Sequence, residues 1–383
     1  MKKNTRNTII GSISILIVIA LIIYLGWYFS HITIFIIIAL IISLLANPLK
    51  LLLTKIHIGK SYISNGWASA LALLLIIACI VGLVAAVAPT IDKQLNTLSH
   101  VNVNTLQHSY KEQLAQVDAF LHQYDIINQN ECLETIIIDG VVSNIKKITP
   151  SKFFNNFIES IGILFLGIFS VLFIAFYILK DIPKLQNAII NMMPDKHQNE
   201  TYHILSRSKK LLSNYFIGLA VEIVLVAMVE FALLSILKIE NALLIAVLGG
   251  VLVIIPYIGS IVACVLGCIF AIMTAYIANP DIMIMEILLK VIGTFAFCRI
   301  LDNFFLQPYI ASKSVKAHPL EIFLVVLVSG HIAGIPGMML GIPAYTILRI
   351  VCQEFFGNIN FVKTLTRSLS DDTNTENSNP QQP

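Results

Sequence analysis

Ile255-Pro-Tyr-Ile-Gly-Ser260 and Gly334-Ile-Pro-Gly-Met-Met-Leu-Gly-Ile-Pro343 are two clusters of helix-breaking residues. Both interrupt a stretch, Asn241 to Ile350, that is otherwise almost wholly apolar. In a lipid bilayer, backbone that leaves the helix finds no water for its N–H and C=O groups. It persists only where protein buries it or where it lines a wet cavity. Paired broken segments in a hydrophobic chain therefore point to a substrate or ion pathway. Pro256, Tyr257 and Gly259 in the first cluster, and Pro336 and Gly337 in the second, are the candidates for unwound backbone at such a pathway, and Gly330 is a further pathway candidate.

Composition places the whole chain in the membrane. Of its 383 residues 57% are hydrophobic and 12% charged, against roughly 25% charged in soluble domains. The mean hydropathy is +0.83. The net charge of +3 says little, because the location of charge outweighs its sum in a membrane protein. Six cysteines show no metal-ligand spacing. Cys264 and Cys268 lie one helical turn apart in an apolar run and read as packing groups, and no disulfide framework, metal site or cofactor is expected.

Runs of about 20 apolar residues cross a bilayer core as helices. They occur at Thr8–Phe29, Ile32–Leu53, Gly66–Ala88, Phe154–Leu179, Leu211–Leu237 and Ile284–Leu306. The first continues past the length of a signal-peptide core and reads as a retained span. Ala242–Ile277 and Leu320–Phe356 each exceed one span and contain the Gly/Pro breaks, so each is two spans or a re-entrant hairpin. The expected fold is an all-α, polytopic helical membrane protein with about 6 full spans and two broken hairpins.

The divisions follow from these runs. Residues 1–89 hold three spans, 90–152 an extracytoplasmic loop and 153–180 the fourth span. Residues 181–210 form an amphipathic cytoplasmic loop broken at Pro183 and Pro194, 211–356 the core with both breaks, and 357–383 a polar tail. In the outer loop Val103, Leu106, Tyr110, Leu114, Val117, Leu121 and Tyr124 recur at helical steps, and Ile137, Val141, Ile145 and Ile148 suggest a second amphipathic helix. Basic residues gather at the N-terminus, at Lys50, Lys55 and Lys60, across Lys180–Lys210, and at Arg299, Lys313, Lys316, Arg349, Lys363 and Arg367. The spans put all of these on one side, whereas acids outnumber lysines between Pro89 and Ser151. The positive-inside rule then makes both termini cytoplasmic.

Charge inside the spans is the second signal. Glu222 and Glu230 lie within the fifth span, eight residues apart and about 80° around the helix. An acid at that depth costs at least ~2.5–3.5 kcal/mol, so it faces a partner, water or a substrate. Glu222 is either a proton, cation or substrate group, or a structural partner of Lys290 or Arg299. Glu286 with Lys290, and Arg299 with Asp302, have spacings that allow pairing within one helix. Arg299, Asp302 and Asn303 form a gate or a structural anchor. His331 is a core histidine or a titrating group. An offset of 80 relates Glu222 to Asp302, Gly250 to Gly330, and Ile255-Pro256 to Ile335-Pro336. Two units of opposite orientation, each a long acid-bearing span followed by a broken pair, would produce it.

The order of three segments resembles one family. They are Phe176-Tyr-Ile-Leu-Lys-Asp181, Gly249 through Gly259, and Asp302-Asn303 with Pro308, His318-Pro319, Gly330, Gly334, Gly337-Met338 and Pro343. From Pro48 to Arg349 the chain is similar to the autoinducer-2 exporter-like bacterial permeases. The resemblance implies a multi-pass protein of the bacterial inner membrane that forms homo-oligomers. It also implies export of a small solute such as a signalling molecule, and some members behave like sodium/proton antiporters. One departure is Leu219 after Gly218, where many relatives carry Gln, so the substrate does not transfer with the resemblance.

Four functional classes follow. The first is a gradient-driven solute exporter, with Glu222, Asp302 and Asn303 as gate or coupling groups. The second is a cation/proton antiporter in which Glu222, Glu230 or Asp302 binds ion and proton alternately. No GxxxxGK[ST] motif is present, which argues against direct ATP drive. An intramembrane hydrolase would need more than Ser329-Gly330-His331 and Ala317-His318, since Leu327 stands where a GxSG motif needs glycine and there is no HExxH. The chain is therefore expected not to be an enzyme. A membrane scaffold without transport is the fourth. The expected partners are a small molecule or cation, membrane lipid and further copies of the chain, with no nucleic acid.

Overall fold

The computed structural model describes residues 24–26, 28–58, 61–100, 150–278, 284–306 and 317–356. Most of the expected first span, the amphipathic outer loop from Val103 to Ile148 and the polar tail lie outside the described residues. What is described is helical apart from one two-residue ladder. The helices are α1 (Ser30–Thr54), α2 (Asn65–His100), α3 (Pro150–Asn191), α4 (Gln198–Ile236), α5 (Ala242–Leu252), α6 (Ile258–Ala278), α7 (Ile284–Leu301) and α8 (Pro319–Phe356). Strands His57–Ile58 and Ser61–Tyr62 pair antiparallel after α1, with His57 opposite Tyr62. Among the described residues, five segments are long and apolar enough to cross a membrane: Ser30–Thr54, Asn65–Ile91, Phe165–Asn191, Asp195–Ile236 and Leu320–Phe356. Their outer faces carry exposed Ile, Leu, Phe and Val, including Ile34, Leu74, Phe165, Phe169 and Val224. Lipid tails, rather than water, suit such faces.

The chain divides into two compact units. In the first, α1, α2 and α3 meet around Ala39, Ala46, Ala72, Val171, Ala175 and Leu179. Four of those are alanines, and small residues let helix backbones approach closely where lipid supplies no hydrophobic drive. Near its end α3 kinks at Asp181, whose backbone leaves the helical region (φ −113°, ψ 25°). Pro183 causes this, since it has no N–H to give the carbonyl four residues earlier, that of Leu179. Lys50 takes over that role: its Nζ donates to the Leu179 carbonyl oxygen at 2.7 Å. The charge-pattern reading treats Lys50 as a cytoplasmic flank, yet it lies inside α1 and is only 7% exposed.

The second unit holds both broken segments, and each is a helical hairpin. In the first, α5 has 11 residues and rises about 16 Å, too short for a ~30 Å hydrocarbon core. After the turn α6 returns for 21 residues. Asn241 Nδ2 donates to Thr274 Oγ1 at 3.1 Å and closes the open end. In the second, α8 leaves helical geometry at Ala333 and Gly334 (φ +61°, ψ −143°). A straight helix would hold Glu321 and Tyr345 about 36 Å apart. Instead the Tyr345 hydroxyl donates to Glu321 Oε2 at 2.9 Å, so the arms lie antiparallel. Its first arm, Pro319 to Ile332, rises only about 21 Å. The sequence leaves two spans or a hairpin open, and the geometry of both breaks is that of a hairpin.

Long α4 is the post on which the second unit is built, in contact with α5, α7 and α8. Leu234 of α4, Ala242 and Ile245 of α5, Ala263 and Ala271 of α6, and Ile287, Val291 and Phe295 of α7 share one core. At the opposite end Arg207 Nη1 donates to Gln353 Oε1 at 3.1 Å and fastens the return arm of α8 to α4.

Candidate functional site

Where α4 crosses the end of α7, the structure buries three carboxyl groups. Glu222 is 7% exposed, Glu230 3% and Asp302 2%. The α7 helix ends by widening into a π turn, Asp302–Leu306, which aims the Asp302 side chain back into the protein. Arg299, one turn earlier, donates from Nη1 to Asp302 Oδ2 at 2.6 Å. The carboxyl of Glu222 lies within hydrogen-bonding reach of Asp302, so the two acids whose numbers differ by 80 meet. Two carboxyls share a hydrogen bond only with a proton between them, and the guanidinium balances the remaining charge.

Glu230 stands about 12 Å further along α4. Its Oε2 is buried and has no hydrogen-bond partner among the described residues. The α5 backbone lies directly on this carboxylate, because a Cβ built on Gly249 would collide with its Oε2 and its carboxyl carbon. The next glycine, Gly250, sits against the Ile223 carbonyl and Ala227 in the same way. Only glycines at these positions let α5 close over α4. Glu230 and Asp302 share a narrow cleft with Arg299, Cys298, Gly249, Val253, Ser260 and Phe295. Its free space admits roughly one water molecule.

The turn at Pro256 and Tyr257 sits beside this cleft through Val253 and Ser260. Tyr257 holds a left-handed backbone (φ 65°), which is strained for a bulky residue. Its ring meets Phe323 of α8 edge-on at 5.5 Å. At Gly259 a Cβ would collide with the Leu252 carbonyl, so the turn tolerates no side chain there.

Not every expected pathway residue joins this cluster. Pro336 and His331 are exposed near the tip of the second hairpin, and neither they nor Gly337 line the acid cleft. The first hairpin's turn touches the second at Phe323, about 15 Å along the arm from the latter's own tip. Among the described residues, Pro336 does not line the cleft beside which the chain turns at Pro256. His331 is not a core histidine, because its side chain lies on the outside of the arm. Asn303 is likewise exposed beside buried Asp302. Gly330 and Gly337 instead form the seam of the hairpin, against Met338 and the Ser329 carbonyl. Lys290 pairs with Glu286 at 2.6 Å, as the spacing suggests, and does not reach Glu222. Cys298 and Ser260 line the cleft without having been singled out as pathway residues. The period of α7 puts Cys298 one turn from Asp302, which is the signal that could have found it.

An acid cluster at the foot of broken hairpins belongs with a sequence match over nearly the whole chain. Residues 13–357 match the AI-2E family transporter profile. The chain belongs to the AI-2E transporter family. It is 24% identical over 276 residues to YrrI of Bacillus subtilis (strain 168), covering 70% of this chain and 72% of YrrI. It is 29% identical over 204 residues to YueF of the same organism, spanning about half of each (53% and 52%). An archaeal relative, MJ1177 of Methanocaldococcus jannaschii, is 23% identical over 240 residues, 63% of this chain and 68% of MJ1177. All three are transport proteins by name. As an AI-2E member with helices of membrane-crossing length, the protein is a multi-pass membrane transporter.

Proposed function

We propose that this AI-2E transporter is a gradient-driven permease of the bacterial inner membrane that exports a small solute, with the Glu222–Asp302–Arg299 cluster as its coupling centre. The observation that carries this reading is the burial of two carboxyls within reach of each other on α4 and α7, balanced by one guanidinium. A purely structural role fits poorly, since a buried ion pair is seldom worth more than the apolar residues that could replace it. A proton entering the pair changes its net charge and alters how α4 and α7 attract one another, which gives a gradient a lever on the hairpins. Flux of labelled autoinducer-2 into everted membrane vesicles under an imposed pH gradient tests the reading. Uptake above vesicles lacking the protein, and its loss in Glu222→Gln and in Asp302→Asn, is the expected result. Equal uptake with and without the gradient overturns the coupling.

A second reading, cation/proton antiport, is favoured by the size of the cleft at Glu230, which suits a single ion better than an organic solute. In that case a Na⁺ gradient imposed on proteoliposomes moves protons with no organic solute present. Asp302→Asn or Glu230→Gln abolishes the response.

A further inference from the structure

Glu230 is not part of the Glu222–Asp302 pair, and its burial needs its own explanation. One carboxylate oxygen, Oε2, lies buried against the bare Cα of Gly249 without a hydrogen-bond partner among the described residues, and both residues line a cleft with room for about one water molecule. A carboxyl oxygen stripped of water and given nothing in return costs on the order of 1–3 kcal/mol. A water resolves this cost where a site is roomy enough and offers two to four polar partners. The cleft offers Glu230, Ser260, Arg299 and Asp302.

We propose that one ordered water occupies this cleft and joins Glu230 to Asp302, making Glu230 the second station of a proton relay that ends at the Glu222–Asp302 pair. The step conserves atoms and charge. The Glu230 hydroxyl passes its proton to the water oxygen while the water passes one of its own to an Asp302 carboxylate oxygen. Water is regenerated, a negative charge appears on Glu230, and the one on Asp302 disappears. Gly249 keeps the route dry from the α5 side, since its bare Cα roofs the carboxylate. Among the described residues the ionisable neighbours include Tyr215, on α4 beside Glu222. Glu222 lies on α4, Cys264 with Cys268 on α6, and Cys298 with Arg299 and Asp302 on α7, while α5 brings only Gly249 and Val253 to the cleft. Arg299 stays protonated throughout.

This inference rests on the gradient-driven reading, and its test needs no solute, so the two can fail separately. Infrared difference spectra of the full chain in lipid nanodiscs, taken between acidic and alkaline buffer, report protonated carboxyls and weakly bonded water. The relay requires a water O–H band that shifts in H₂¹⁸O and disappears in Ser260→Val. It also requires a carboxyl band lost in Glu230→Gln, retained at shifted frequency in Glu230→Asp, and titrating at a proton concentration altered about tenfold or more in Asp302→Asn. Absence of the H₂¹⁸O-sensitive band, or a Glu230 titration indifferent to Asp302→Asn, overturns the relay even where vesicle transport succeeds. If both bands behave as stated and transport fails, the relay stands and the permease reading falls.

Discussion

Arg299 and Asp302 are unequal partners. Asp302 is almost fully buried while Arg299 keeps about a quarter of its side chain exposed (26%). Removing the guanidinium leaves a buried carboxylate beside a second carboxyl, with nothing to balance it. Removing the carboxylate leaves a cation that can turn toward solvent or headgroups, as long basic side chains do. Arg299→Met is therefore expected to destabilise the protein by about 3–5 kcal/mol, and Asp302→Asn by clearly less. Arg299→Met combined with Asp302→Leu recovers most of the loss, and thermal unfolding in detergent micelles measures all three. Lys50 follows a related logic with a backbone partner. A charged donor on the Leu179 carbonyl is worth roughly 1.5–3 kcal/mol, so Lys50→Met lowers the unfolding midpoint while surface Lys184→Met does not. Equal effects from those two lysines would mean the Pro183 kink needs no outside donor.

At the scale of elements, the breaks were readable and their geometry was not. Gly, Pro and an apolar context place both interruptions correctly, because bilayer physics forbids unpaired backbone except where something shelters it. Whether a break turns the chain back depends on contacts between arms, such as Asn241 with Thr274 and Tyr345 with Glu321, which no local pattern encodes. The acids were readable for the same reason as the breaks: charge in lipid is costly wherever it sits. Their partners were not, since Glu222 was equally compatible with Lys290, which instead pairs locally with Glu286. His331 and Pro336 lie exposed near the tip of the second hairpin, since sequence gives depth along a helix but not which side of a hairpin faces the cleft. The second hairpin has a direct test. A straight helix would separate Ser329 from Gly341 by about 18 Å. In the hairpin a Cβ on Gly341 lies against the Ser329 side chain. Ser329→Cys with Gly341→Cys is expected to cross-link within one chain under mild oxidation, and the pair Ser329→Cys with Ile347→Cys to do so far less. Gly334→Ala tests its hinge: with no atom near the added Cβ, the cost is backbone strain alone, on the order of 1–3 kcal/mol.

Across the second unit, the two halves share one plan. Each has an acid-bearing helix, α4 or α7, followed by a hairpin with a short first arm and a longer return arm. Each hairpin is pinned at its open end by one hydrogen bond between side chains. The turn of the first touches the second hairpin far from that hairpin's tip, as it would if the two pointed opposite ways. The acids at matching positions, Glu222 and Asp302, meet where α4 and α7 cross. If a two-fold axis in the membrane plane relates the halves, that crossing lies on it, and the two acids are equivalents differing by one methylene. The arrangement then predicts a compensation that mere proximity does not. Glu222→Asp opens a gap in the pair and Asp302→Glu crowds it, so each alone lowers the unfolding midpoint, by about 1–2 kcal/mol for a hydrogen bond of this kind. The double exchange restores the summed length and, across a symmetric crossing, the geometry as well. Recovery to near the parent midpoint supports the axis. Additive losses would show that the two acids are held by unlike surroundings, and that the offset of 80 is a coincidence of spacing.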